Sequence, residues 1–83
     1  MMLTYIGLVG THRYYTTDTG RLVVKPGHNG CEPRDARQEV RSLRRAASRN
    51  TQLARQHPER TLYLTRAWQQ ACLAAKIEEL VRK

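Results

Sequence analysis

The feature that most constrains this chain is the spacing of its arginines between positions 34 and 55. Arg34, Arg37, Arg41, Arg44, Arg45, Arg49 and Arg55 recur mostly at three- and four-residue intervals. At about 100° per residue these side chains fall within an arc of roughly 140° on a helix. Ala36, Val40, Leu43, Ala46, Ala47, Leu53 and Ala54 fill the opposite arc. Asp35 and Glu39 lie outside the arginine arc, so no acid of this segment neutralises it. The segment is therefore predicted to be an amphipathic helix over residues 34–57, with one side in a core and the other presenting guanidinium groups. Asn50 and Thr51 are weak helix formers inside it, and Pro58 stops it or opens the next helix.

The residues before this helix read as β-structure. Residues 3–9, Leu-Thr-Tyr-Ile-Gly-Leu-Val, are apolar on both alternating sets, which suits a strand covered on both sides or a central one. Residues 12–17 and 21–25 flank Asp18-Thr19-Gly20. A three-residue loop ending in Gly is a hairpin signal, because Gly accepts the left-handed conformation there. The implied pairs are Thr17–Arg21, Thr16–Leu22, Tyr15–Val23, Tyr14–Val24 and Arg13–Lys25. That register puts Tyr14, Thr16, Leu22 and Val24 on one face, assigned to the core. Arg13, Tyr15, Thr17, Arg21, Val23 and Lys25 share the other, where three cations surround an aromatic ring. Residues 25–33, rich in Gly and Pro, read as a connector.

Residues 59–82 are predicted to form a second helix, although the Thr-Leu-Tyr-Leu-Thr run at 61–65 is also strand-like. This helix has two apolar stripes. One holds Leu62, Tyr63, Leu73, Ala74, Ile77, Leu80 and Val81; the other holds Leu64, Ala67, Trp68, Ala71, Cys72 and Ala75. Two stripes call for cover on two sides. A second copy is the expected cover for a patch of Leu73, Ile77, Leu80 and Val81, giving a homodimer. The alternative is that the sheet and first helix cover both stripes. Trp68 is expected to be a core anchor. The resulting fold is α+β: a small antiparallel sheet of two or three strands followed by two packed helices, in a single domain.

Charge narrows the function classes. Twelve arginines and three lysines against seven acids leave a formal charge of +8. Such a balance favours polyanionic partners, and Arg forks onto phosphate or carboxylate in a bidentate fashion that Lys cannot match. The expected function is non-enzymatic binding to DNA or RNA phosphates through the arginine face. Arg13, Tyr15, Arg21 and Lys25 are secondary contacts. The alternative is a small regulator or inhibitor docking the same face on an acidic protein. No segment reaches the ~20 apolar residues of a membrane-spanning helix. The apolar start is short for a secretory signal and lacks a basic leader. The expected location is the cytoplasm.

Motifs for chemistry are thin. Cys31 to Arg37 has a Cys-x5-Arg spacing that resembles the phosphate loop of tyrosine phosphatases. Glu32 and Asp35 add negative charge, Pro33 lacks an amide hydrogen, and Gln38 stands where that family has Ser or Thr. Phosphatase chemistry is therefore not expected. His28-x2-Cys31 has half the spacing of a metal knuckle, but no second pair completes it. Neither a metal nor a cofactor is expected.

Overall fold

The hairpin forms where Asp18-Thr19-Gly20 permits it. Gly20 takes φ +82°, and the Thr17 amide donates to the Arg21 carbonyl at 2.9 Å. The pairs Tyr15–Val23, Tyr14–Val24 and Arg13–Lys25 follow in the expected register. A computed structural model describes residues 2–27 and 30–82. In it β1 (Leu3–Val9), β2 (His12–Thr17), β3 (Leu22–Pro26) and β4 (Glu32–Arg34) precede α1 (Ala36–Gln56) and α2 (Thr61–Arg82). The strands make one 4-stranded antiparallel sheet in sequential order.

Two strand assignments differ from expectation. β1 is an edge strand rather than a central one. Its apolar residues on both sides reflect one buried face and one face left open, with Leu3, Tyr5 and Leu8 exposed. A bulge at Ile6 shifts the register between Tyr5 and Gly7, and Lys76 Nζ donates to the Ile6 carbonyl at 3.1 Å. The bulge keeps Tyr5 on the outer face while turning Gly7 inward opposite Tyr14. There Gly7 lies under Leu73, so close that a Cβ would stand 2.9 Å from Leu73 Cδ1. A larger residue at this position would have to displace the end of the buried Leu73 side chain. The second difference lies in the connector, which holds a short strand. Glu32, Pro33 and Arg34 pair with Val24, Val23 and Leu22. At a sheet edge a proline loses no ladder hydrogen bond it needs, which is why Pro33 is tolerated.

Both helices cover the inner face. Tyr14, Leu22 and Val24 of the sheet meet Val40 and Leu43 of α1 and Leu73, Ala74 and Ile77 of α2 in one cluster. Val24 and Ile77 are completely buried, and each stabilises the fold by about 1.5–3 kcal/mol through apolar burial. α1 begins at Ala36, two residues later than the expected start at residue 34. Asp35 is its N-cap, accepting the Gln38 amide at 3.0 Å, so Arg34 belongs to β4. Asn50 and Thr51 do not break α1. Asn50 Nδ2 donates to buried Gln70 Oε1 at 2.9 Å, and Thr51 Oγ1 donates to the Ala47 carbonyl at 2.8 Å. Residues 61–65 are helical: the chain turns at Pro58 and Glu59, the Arg60 amide donates to the His57 carbonyl at 2.9 Å, and α2 starts at Thr61. No helix among the described residues is long and apolar enough to cross a membrane.

Candidate functional site

The helical period of α1 turns its arginines out of the core. Arg37, Arg41, Arg45 and Arg49 step by four residues, each step rising about 6 Å and the row spanning about 18 Å. All are exposed, and none forms an ion pair among the described residues. Arg55 is also exposed, in the last turn, where a cation meets the negative end of the helix dipole. The other two stripe residues are neutralised, contrary to expectation. Arg44 is ion-paired with Glu78 of α2, which Arg82 also engages at 2.9 Å. Arg34 reaches Glu39 at 3.2 Å and Glu32 at 3.3 Å. Glu39 is off the arginine arc on α1 itself, but β4 brings Arg34 to it.

Glu39 is the hub of a buried polar network. Tyr14 donates to its Oε1 at 2.8 Å while Arg34 binds Oε2. Burial pushes the Tyr14 phenol well above the ordinary tyrosine range, and the hydrogen bond to Glu39 and its charge add to the shift. For Arg34, partial burial opposes the charge, but the hydrogen bonds and charges of Glu32 and Glu39 outweigh it and hold the guanidinium charged. The network satisfies a carboxylate that would otherwise be costly inside the core.

The outer face of the sheet forms three rows across the strands. The central row is Tyr5, Tyr15, Val23 and Pro33. On one side lie Leu8, Arg13 and Lys25. On the other lie Leu3 and Thr17, with Arg21 beside Thr17. Neighbouring rows are about 7 Å apart along the strands. Tyr5 is 54% exposed, and its ring meets Tyr15 edge-on at 5.7 Å. No carboxylate stands in these rows. Tyr15, Arg13, Arg21 and Lys25 therefore share one face as the hairpin register requires. Tyr5 and Leu8 were not legible as members, because their placement depends on the Ile6 bulge.

A cleft of about 450 Å³ opens between the β1–β2 turn and the two helices; His12, Arg34, Glu39, Arg66 and Gln70 are among its lining residues. Arg66 folds its guanidinium over Gly10, where a Cβ would stand 3.1 Å from Nη1. Cys31 is exposed and leads directly into extended β4. Its backbone does not curl into a phosphate loop with Arg37, which sits on α1. His28 of the suggested metal spacing lies outside the described residues. Among those described, no three His, Cys, Asp or Glu side chains cluster.

α2 reverses two expectations. Leu73 and Ile77 are buried in this chain's own core, and Leu80 and Val81 are half-buried. A homodimer patch centred on Leu73 and Ile77 is therefore not available, because the sheet and α1 cover them, although Leu62 at the start of that stripe is exposed. Trp68 is no core anchor but is 69% exposed. It stands with exposed Leu64, Ala71 and Ala75 on the second stripe, of which only Ala67 is buried. No family model matches the chain, and no curated protein or solved structure matches it.

Proposed function

We propose that this chain is a non-enzymatic nucleic-acid-binding protein whose α1 arginine row contacts phosphates. The observation that carries the reading is the row itself: Arg37, Arg41, Arg45 and Arg49 are exposed, evenly stepped and without a carboxylate partner among the described residues. An exposed guanidinium group can fork onto a phosphate through two parallel charge-assisted hydrogen bonds. Contacts of this kind fix position and register on the polymer without reading sequence, so binding has weak sequence preference. Four phosphate contacts on duplex DNA give a log–log salt slope of about −3.6. Replacing these four arginines by Ala removes most binding and leaves the far-UV circular dichroism spectrum unchanged, because none of them packs in the core. Absence of binding to DNA and RNA at low salt overturns the proposal.

A second reading has its own observation. Exposed Trp68 and Leu64 on neighbouring α2 suit a protein partner with an acidic and partly apolar surface, since interfaces favour aromatic anchors and arginine. That reading expects Trp68→Ser to weaken capture of the partner as strongly as the arginine replacements do. Phosphate binding expects Trp68→Ser to have no effect.

A further inference from the structure

The open sheet face is built differently from the arginine helix, and its design points to bases rather than phosphates alone. We propose that it is a stacking platform for the unpaired bases of single-stranded nucleic acid. Tyr5 and Tyr15 lie side by side in the central row, meeting edge-on at 5.7 Å, with Tyr5 more than half exposed and Tyr15 half-buried. An exposed tyrosine on a sheet offers a ring face that every base can use, independent of sequence. Cations flank the rings on both sides: Arg13 and Lys25 one row away, Arg21 in the opposite row. The row spacing of about 7 Å lets a strand lay bases on the rings while its phosphates reach the flanking cations.

The cross-strand pair Arg13–Lys25 supplies the independent argument. Like charges directly opposite one another destabilise a sheet, and no acid in the rows relieves this pair. Beside it an open hollow of about 500 Å³, bounded by Leu8, Arg13 and Lys25 among others, leaves room for an anion. A phosphate seated between the two cations removes the repulsion. A duplex cannot use the tyrosines, because its bases are already stacked and paired. A protein partner would have no use for a ring platform walled by cations on both sides unless it carried its own acids there, and binding to none of the nucleic acids in the test below is the outcome that would favour such a partner.

The inference rests on the nucleic-acid reading of the chain but uses another surface, so each can fail alone. Fluorescence anisotropy would follow the full-length protein binding a short oligothymidylate, an abasic strand of equal length and a duplex of equal length. Tyr5→Ala with Tyr15→Ala should weaken oligothymidylate binding by about 30-fold or more and leave duplex affinity unchanged, which also shows that the variant is folded. Tyr5→Phe with Tyr15→Phe should retain full affinity. The parent should prefer oligothymidylate over the abasic strand, and the Ala variant should lose that preference. Arg13→Gln with Lys25→Gln should flatten the single-strand salt slope by about 1.4 without lowering the thermal midpoint. Equal affinity for base-bearing and abasic strands, or no effect of the tyrosine replacements, overturns the stacking platform. If duplex and strand are then still lost with the α1 arginines, the helix proposal survives. If the tyrosine effects appear while the α1 replacements are silent, the platform stands and the helix proposal falls. Binding to none of the three overturns both.

Discussion

α1 and α2 are almost equal in length, 21 and 22 residues, and pack against the same sheet face, yet they meet water in opposite ways. The outward side of α1 is a row of arginines. The outward side of α2 is Leu64, Trp68, Ala71 and Ala75. The contrast shows the limit of helical periodicity as a guide. Periodicity identifies a buried side only when the two sides differ in polarity. On α1 they differ, and the angle separates the residues that face the core from those that face water. On α2 both sides are apolar, and the angle alone does not say which one enters the core; Leu73, which lies over Gly7, is on the side that does.

The sharpest way to break this comparison is to place a charge on each α2 stripe in turn. Ile77→Asp puts a carboxylate where the side chain is completely buried and should cost at least about 4 kcal/mol. That is comparable to the whole stability of a small domain, so the chain should be unfolded by circular dichroism. Trp68→Gln should shift stability by no more than about 0.5 kcal/mol. Equal losses at the two positions would mean that the second stripe is also internal.

A smaller effect tests the buried network that joins α1 to the sheet. Glu39→Ala leaves the Tyr14 hydroxyl without its acceptor and Arg34 without its buried partner, and should cost about 1–3 kcal/mol in denaturant unfolding. The same network sets a pH dependence. Below the ordinary tyrosine value of 10.0, folded and unfolded chains both keep the Tyr14 proton, and this group leaves stability unchanged. Above it the unfolded chain releases the proton first, because the folded phenol is held higher. Stability therefore falls as pH rises beyond that point. Comparing unfolding at neutral and strongly alkaline pH isolates the effect, since Tyr14→Phe should lose this part of the slope. An unchanged slope in that variant would remove Tyr14 from the account.

The smallest effect separates the arginines of α1 from one another. Arg44→Ala breaks a partly exposed pair with Glu78 and should cost about 0.2–1 kcal/mol. Arg41→Ala should cost nothing measurable in stability but should weaken polyanion binding. A reversed pattern, with Arg41 stabilising and Arg44 silent, would show that the free row has been drawn through the wrong residues.

Much of the candidate site was legible before the fold. The α1 face, the hairpin register and the shared side of Arg13, Tyr15, Arg21 and Lys25 all follow from local rules of period and turn chemistry. Arg34 and Arg44 could not be sorted from the other arginines, because the acids that neutralise them are Glu32 and Glu39 brought together by β4 and Glu78 brought across from α2. Tyr5 joined the platform through a bulge that no alternation pattern announces. The short strand β4 was hidden by Pro33, whose usual meaning as a breaker does not hold at a sheet edge.

By itself the sequence determined what depends on neighbours along the chain: the arginine helix, the glycine-closed hairpin, the excess of positive charge and the alternation that sets β2 and β3 face by face. The tertiary structure decided what depends on residues far apart. It chose which α2 stripe is core, left Trp68 and Tyr5 in water, placed β1 at an edge, and divided the arginines into paired and free. The physical reason is that periodicity is a local property of the backbone, whereas burial and ion pairing are set by which surfaces meet, and two similar apolar surfaces compete for one sheet face until packing settles the choice.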